Sequence, residues 1–579
     1  MFCVILNSSL FNKKIIYNIK LVEINMSYYR TIKLKLCEGK ILNDLTKIDD
    51  DILINNPVTY IYFNLRSKII YIGETSSFKN RHKEHLAEKK PKINYQLFTD
   101  CLVIYSKLFH KSAILYLESL LLNYMIAEAD KTKFVFANGN NGQTKINYEN
   151  KEEILTNVFY ELWTHELSDL GLVNNQNLNE LRESLLFKYS PFKQLSLEQK
   201  EIIGEIERNL FAKFLVEAPA GSGKSVLFTS LAFSLADKYP DLKIGVVTTG
   251  NLIRQFNLIF KSINLSSRLT VKTGSQLITD AKKKHENFDI IIVDEAHKLK
   301  KYYKKGHPNA RRHLNKDDEE ITLLEEITKG LVLLYDPYQG IKPQNISPSE
   351  VRRLTNNYQK LSMSQQFRIG GKGSFSGEDY LKGILYGLQL SEERDFNQEV
   401  FKDEYFGIVN SFKEVIDYVD VRSHAYPETT NRVIAGYCRE WISSTSKKFN
   451  KGKTLEELPY DWEIDGIKRR WNSTYEDWVK KPNSEREIGS IHAIQGYDLN
   501  YSGVIIGNDI TVKHGKIVAV PENYKDIGGT PLKKEFSLSE LTEYILNIYY
   551  VLLSRGIDGC RVYFEDKKVE KLFRERLGL

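Results

Sequence analysis

Phe214-Leu215-Val216-Glu217-Ala218-Pro219-Ala220-Gly221-Ser222-Gly223-Lys224-Ser225 is an apolar strand that runs into a glycine loop, and the apolar helix Val226–Leu235 follows it. Strand, loop and helix in that order are the context a phosphate-binding loop demands. Gly221 and Gly223, on either side of Ser222, let backbone N–H groups turn toward phosphate oxygens at a helix N-terminus. Lys224 is placed to reach the β and γ phosphates of ATP, and the Ser225 hydroxyl to ligate Mg²⁺. Ala218 stands where the pattern has its first glycine, a mild change that leaves the Gly-Lys-Ser end intact.

Moving outward, Phe288-Asp289-Ile290-Ile291-Ile292-Val293-Asp294-Glu295 is a buried strand ending in two acids. Adjacent carboxylates after four β-branched residues would be costly unless cations or water meet them. Asp294 is therefore expected to hold Mg²⁺ through its water shell, and Glu295 to orient the attacking water. Upstream, Gln199 of Leu195–Gln199 is a candidate reader of the adenine edge. Downstream, Leu333–Gln339 forms another strand, with Asp336 and Gln339 at its tip and able to sense the γ-phosphate. Gln366-Phe367-Arg368 offers one arginine and Ser554-Arg555-Gly556 a second, with Ile494-Gln495-Gly496-Tyr497-Asp498 between them. From Leu195 onward short β-rich runs alternate with amphipathic helices, the pattern of a parallel α/β sheet.

The chain of 579 residues is too long for one hydrophobic core. Its 42% hydrophobic and 27% charged residues exclude a disordered or fibrous protein. No run approaches the roughly 18 apolar residues that cross a bilayer, so no membrane partner is expected. The five cysteines form no CxxC pair, which indicates neither a disulfide framework nor a zinc knuckle and makes a reducing, cytoplasmic setting the expectation. A net charge of +7 permits a nucleic-acid partner without requiring one. The basic stretch from Lys298 to Arg312, interleaved with Tyr302 and Tyr303, suits phosphates and stacked bases, or is simply a solvated loop. Met26-Ser27 reads as an ordinary start, so residues 1–25 are expected to be an upstream extension.

A second constellation lies nearer the N-terminus. Thr59–Phe63 and Lys68–Gly73 read as a hairpin that brings Tyr62 and Tyr71 together. Arg81 and His85 are four apart on the short helix that follows and share a face. Glu118 interrupts an otherwise apolar helix, where a carboxylate needs a basic partner or a metal ion. Asn138 opens an amide-rich turn, with Asn140 and Asn141 as alternatives. Singly, tyrosines in a hairpin are ordinarily packing residues and an Arg–His pair a solvated face.

Taken together and in order, these residues resemble the GIY-YIG nuclease family over roughly Thr59–Gln143, with Tyr60-Ile61-Tyr62 and Tyr71-Ile72-Gly73 as the two signatures. Tyr60 replaces the first signature's glycine. The resemblance implies that Glu118 binds a divalent ion, Mg²⁺ being favoured, and that Tyr62 acts as or near the general base. It further implies that Tyr71 positions water or phosphate, Arg81 neutralises the scissile phosphate, His85 assists proton transfer and Asn138 positions the substrate. The ordered set from Leu195 to Phe564 resembles superfamily 1 helicases, nearest the Schlafen-type helicase domains. That likeness implies two RecA-like lobes with ATP between them, and makes Arg368 and Arg555, both expected in the second lobe, arginine fingers on the γ-phosphate. Gln495 and Gly496 join the nucleotide-binding set.

The expected fold class is α/β: a small GIY-YIG α/β nuclease domain followed by two RecA-like parallel-sheet helicase lobes. The expected boundaries are an N-terminal extension at 1–56, the nuclease at 57–145, a helical connector at 146–193, the first lobe at 194–330 and the second at 331–579. The functional expectation is an ATP-dependent translocase or helicase with a fused Mg²⁺-dependent endonuclease. It would act on DNA, single- or double-stranded, with RNA also admissible, and serve in bacterial defence against phage; partner defence subunits or a homo-oligomer fit that role. Two alternatives are an ATP-gated nucleic-acid-binding signalling or assembly protein that neither unwinds nor cuts, and a repair incision nuclease.

Overall fold

The computed structural model describes residues 28–88, 93–139, 150–300, 319–341, 345–370, 375–445, 447–454, 457–474, 478–494, 496–526 and 537–579. The expected upstream extension at 1–25, Asn140, Asn141, Gln495 and most of the basic stretch, 301–312, lie outside the described residues. The chain separates into two compact units, one of residues up to 64 with 72–118 and 147–169, the other of 65–71, 119–146 and 170–579.

In the first unit, β1 (Arg30–Cys37), β2 (Lys40–Ile41), β3 (Val58–Asn64), β4 (Ile69–Thr75, of which Ile69–Tyr71 belong to the second unit) and β5 (Asp100–Tyr105) build a sheet in the order β2-β1-β5-β3-β4. Ile32, Leu34 and Leu36 of β1 are buried while Arg30, Lys33 and Lys35 face outward. That period-two alternation is what a half-buried strand requires. β1 pairs antiparallel with β5 from Arg30 opposite Tyr105 to Lys35 opposite Asp100. The sheet therefore starts well before residue 57, and the expected extension at 1–56 contains two of its strands and the helix Lys47–Asn55. The connector expected at 146–193 is likewise divided, its residues 147–169 belonging to this unit and residues 170–193 to the other.

In the second unit, a short strand β6 (Val135–Phe136) pairs in parallel with Ile69 and Ile70. Next come β7 (Lys213–Glu217), β8 (Ile244–Val247), β9 (Leu269–Lys272), β10 (Phe288–Val293), β11 (Thr328–Tyr335) and β12 (Gln359–Ser362), all parallel in the order β12-β7-β11-β10-β8-β9. β10 is continuously apolar from Ile290 to Val293 because a central parallel strand is covered on both faces. The first lobe thus includes β11 and β12. The expected boundary after residue 330 cuts β11 in half, because a parallel strand needs a crossover and the pairing partner of Leu331–Tyr335 is Lys213–Glu217, more than a hundred residues earlier.

The second lobe is built on β13 (Phe406–Val409), β14 (Arg432–Ala435), β15 (Trp462–Ile464), β16 (Ile467–Trp471), β17 (Glu487–Ser490), β18 (Leu499–Ile506) and, after the hairpin of β19 (Ile510–Lys513) and β20 (Lys516–Ala519), β21 (Gly556–Phe564). Its order is β13-β21-β18-β14-β17-β16-β15, parallel except for the β15–β16 pair. Both lobes are RecA-like parallel sheets, as the alternation of apolar runs and amphipathic helices required. Among the described residues, no helix is long and apolar enough to cross a membrane.

Candidate active sites

β7, β11 and β10 are neighbours whose C-terminal ends, Glu217, Tyr335 and Val293, share one edge. That edge is where open parallel sheets bind ligands, and it places the loop 218–225, Asp336 and Asp294 side by side. Gly221 and Gly223 adopt φ of +79° and +86°, left-handed values that suit glycine. A Cβ on Gly221 would strike Gln366, and one on Gly223 would lie 2.6 Å from Gln199.

Lys224 is buried at the start of the helix Lys224–Lys238. Its Nζ donates to the carbonyls of Ala218 (2.6 Å) and Pro219 (3.2 Å) and to Asp336 Oδ2 (3.0 Å). Gln339 Nε2 donates to the same Asp336 oxygen at 2.8 Å. Gln339 therefore reaches the loop lysine through Asp336. Gln199 Oε1 accepts from the Ser196 N–H and its Nε2 donates to the Gly223 carbonyl at 3.3 Å, so this amide braces the glycine loop.

Asp294 is 3% exposed, and both its carboxylate oxygens are buried without a hydrogen-bond partner. Burial, reinforced by Glu295, pushes its pKa up to about 7. Glu295 takes the left-handed backbone (φ +54°), an uncommon conformation for a residue with a Cβ and a frequent one at functional sites. Its carboxylate lies 2.7 Å from His297 Nε2 and 3.4 Å from Lys298 Nζ, which hold it ionised against the opposing effect of burial. Orphaned hard oxygens at Asp294, with Ser225 in the first turn of the helix Lys224–Lys238, fit a Mg²⁺ ion.

Arg368 does not sit in the second lobe. Phe367 N–H donates to the Gly221 carbonyl (2.8 Å), Gln366 Nε2 to the Ala220 carbonyl (2.5 Å) and Met363 N–H to the Glu217 carbonyl (2.8 Å), so the segment after β12 runs along the glycine loop of the first lobe. Arg555 does come from the second lobe, at the start of β21. Arg368 Nε lies 2.8 Å and Arg555 Nη1 3.9 Å from the same oxygen of Asp498. Leu499 N–H bonds the Arg555 carbonyl (3.0 Å), which sets Asp498 and Arg555 at the heads of adjacent strands. Arg368 Nη1 and Arg555 Nε are buried without a hydrogen-bond partner. Burial, with Arg368 nearby, pushes Arg555 down to about 10. Gly496 is exposed with φ +86° and open space where a side chain would stand.

In the first unit, Tyr60 and Tyr62 project from β3 under the helix Phe78–Ala87. Tyr62 Oη is 2.6 Å from His82 Nδ1, and His82 Nε2 is 2.9 Å from the Gly39 carbonyl. A carbonyl can only accept, so Nε2 carries the proton and Nδ1 accepts from the Tyr62 hydroxyl. His85 Nε2 meets Tyr60 Oη at 3.0 Å, and its ring stacks on Tyr95 at 4.0 Å. Gly73 has no Cβ because Tyr60 lies there, 2.5 Å from where one would be. The tyrosine standing in for the first signature's glycine is thus fitted to the second signature's glycine. Arg81 is half-exposed and pairs with Glu84 at 3.0 Å. Glu118 is 5% exposed on the helix Lys111–Ala127. Among the described residues no group of three or more His, Cys, Asp or Glu is placed to hold a metal ion, so a divalent ion at Glu118 would keep several waters, as Mg²⁺ does. Tyr71 and Asn138 belong to the other unit, where Asn138 is buried.

Residues 212–566 match the model of the Schlafen group 3 DNA/RNA helicase domain, and residues 56–125 that of the GIY-YIG catalytic domain. The chain belongs to the Schlafen group 3 helicase family. It is a GIY-YIG domain followed by a Schlafen group 3 helicase domain. An uncharacterized protein of Saccharomyces cerevisiae is 26% identical over 410 residues, covering 63% of this chain and 84% of that one. Among solved structures, Pif1 helicase from Candida albicans is similar at 14% identity and TM-score 0.28, over 66% of this chain and 99% of that chain. The Hef helicase domain of Pyrococcus furiosus is similar at 10% identity and TM-score 0.29, over 65% and 97%.

The glycine loop, Lys224, Asp294, Asp336 and Gln339 of this Schlafen group 3 chain lie together at the first lobe's sheet edge. Two contributors carry no motif weight in the sequence. His82 is the partner of Tyr62, and the signal for it was periodicity: Phe78, His82 and His85 are spaced four and three apart, and all three are the buried residues of that helix. Asp498 is the acid between both arginines, and no local pattern announces that role.

Proposed function

We propose that this protein is an ATP-driven nucleic-acid translocase carrying its own Mg²⁺-dependent endonuclease, cytoplasmic, and directed at foreign DNA in defence against phage. The observation that carries the motor reading is the buried, unpartnered carboxylate of Asp294 beside the Lys224–Asp336 pair, at an edge also reached by the unpartnered guanidinium nitrogens of Arg368 and Arg555. Buried polar groups without a protein partner call for a ligand, an ion or water to complete them. Lys224 and the loop amides would bind phosphate oxygens, Glu295 would orient water, and the two arginines would neutralise charge developing at the γ-phosphate. Mg²⁺ held by Ser225 and Asp294 would supply Lewis acidity.

At the nuclease centre, Tyr62 is the base-side residue. As it takes a proton from water its own hydroxyl proton passes to His82 Nδ1, which the hydrogen bond already points toward. Arg81 would neutralise the scissile phosphate, with His85 held in place through Tyr60 and Glu118 as the metal ligand. A cutter joined to a motor suits the destruction of invading DNA.

The test is to incubate purified protein with plasmid, Mg²⁺ and ATP, and to compare Glu118→Ala with Lys224→Ala. Glu118→Ala is expected to abolish nicking and keep ATP hydrolysis; Lys224→Ala is expected to abolish ATP hydrolysis. Wild-type protein that neither cuts nor hydrolyses ATP faster with any DNA or RNA present would overturn the reading.

A further inference from the structure

Tyr418, Arg422 and Tyr426 recur every fourth residue along the helix Phe412–Ala425 and its C-cap, so they share one face. The helix packs on β18 and β21, and side chains from the three elements interleave. Arg561 of β21 stands over the Tyr418 ring at 4.8 Å. Arg422 lies 5.6 Å from that ring and 4.9 Å from the ring of Tyr501 on β18. Tyr426 then stacks on Tyr501 at 5.8 Å, with the two planes 19° apart. The result is a ladder, Arg561–Tyr418–Arg422–Tyr501–Tyr426, in which cations and ring faces attract one another.

The backbone makes room for it. Gly559 sits opposite Tyr501, and a Cβ there would stand 2.5 Å from the Tyr418 hydroxyl and 3.0 Å from the Tyr501 ring. Gly407 sits opposite Arg561, and a Cβ there would come within 2.9 Å of that side chain. The inner end is fixed, because Arg561 donates to the carbonyls of Tyr405, Cys560 and Glu404, each at 3.0 Å. The outer end is open. Tyr426 is 39% exposed, and among the described residues only Tyr501 stacks on it and its hydroxyl has no hydrogen-bond partner. Arg422 is half-buried between its rings, and among the described residues its guanidinium has neither an ion pair nor a hydrogen bond. The acids of its own helix are engaged elsewhere: Glu414 with the Asn410 N–H (3.0 Å), Asp417 with Lys413 and Asp420 with Arg469 (3.8 Å). Asp558 accepts from the Asn500 amide at 2.7 Å.

We propose that the open end of this ladder is a contact for single-stranded nucleic acid, with an unstacked base laid on Tyr426 and its phosphate held by Arg422. A base offers the flat face that prolongs a stack of rings. The phosphate supplies the planar-fork acceptor and the negative charge that a guanidinium between rings lacks. Paired strands keep their bases stacked on one another and could offer this surface phosphates alone.

The inference rests on the reading of the chain as a nucleic-acid translocase, and its test reads binding rather than turnover. A fluorescein-labelled oligothymidylate and an abasic strand of the same length are titrated into the full chain in EDTA, where the strand stays whole. Tyr426→Phe keeps the ring and is expected to bind oligothymidylate as wild type does, within about twofold. Tyr426→Leu is expected to weaken that binding by roughly tenfold, the size of one base–aromatic stack, and to leave the abasic strand unaffected. Arg422→Gln is expected to flatten the salt dependence by one phosphate, about 0.7 in the log–log slope. In both Tyr426 variants the unfolding midpoint and the Kd of a fluorescent ADP analogue are expected to be those of wild type. A Tyr426→Leu protein that binds oligothymidylate as wild type does, loses the abasic strand equally, or loses ADP affinity instead overturns the inference. If wild type binds the strand but hydrolyses no ATP, the motor reading falls and the Tyr426 comparison still decides the ladder. If it binds no strand, both fall.

Discussion

The ammonium of Lys224 donates to Asp336 Oδ2 at 3.0 Å, and both side chains are buried. A buried pair contributes little against an apolar replacement, but removing one partner leaves an uncompensated charge. Asp336→Ala is expected to destabilise the second unit by about 3 to 5 kcal/mol, read by urea unfolding of the full chain. A change under about 1 kcal/mol would show that water or another group already compensates Lys224.

Tyr62 and His82 form one hydrogen-bonded unit that ends on the Gly39 carbonyl. Tyr62→Phe and His82→Ala are each expected to lower plasmid nicking by about 100-fold while ATP hydrolysis is kept. The double variant is expected to be no worse than the poorer single one, since residues acting as a unit are not additive. Fully multiplicative losses would separate the two roles.

Burial, with Arg81 and His82 close by, pushes His85 down to about 3, and burial lowers His82 as well. An unfolded histidine titrates near 6.5. Both folded values therefore lie below the unfolded one, and the unfolded state binds more protons as pH falls. Stability contributed by these rings is complete above about pH 6.5 and is lost as pH falls from there toward about 3, by up to roughly 1.4 kcal/mol per unit for each ring. Hydrogen exchange at the amides of the helix Phe78–Ala87, followed from pH 7.5 to 4.5 in the full chain, is expected to show protection flat at first and then falling. His85→Gln should reduce the slope; an equal slope would assign the loss to other groups.

Arg368 and Arg555 converge on one oxygen of Asp498 from different lobes. Either arginine changed to Ala is expected to cut the rate of ATP hydrolysis by about a thousandfold with nucleotide affinity changed far less. Asp498→Asn leaves two buried cations facing each other and is expected to weaken lobe closure, seen as a higher KM for ATP. A KM effect for the arginines with an intact kcat would reassign them to binding.

Much of the proposed nucleotide site was legible because its grammar is local. Left-handed glycines, a lysine at the first helical position and acids directly after an apolar strand are each dictated by a few consecutive residues, and parallel sheets bring strand ends to a common edge. The domain boundaries were not legible. The alternation in Arg30–Cys37 says that a strand exists but not that its partner is Asp100–Tyr105, and nothing near Leu331 says that it pairs beside Leu215 and Ile291.

The sequence by itself determined the two α/β parts, the glycine loop and the pair of tyrosine signatures, because backbone sterics and hydrophobic period act over short spans. Only the tertiary structure decided that Tyr62 meets His82 while His85 meets Tyr60, that Arg368 lies along the first lobe's loop, and that Lys224 shares Asp336 with Gln339. Those pairings depend on which distant segments are packed together, and a side chain two or three positions along a helix serves equally well on paper until the partner face is in place.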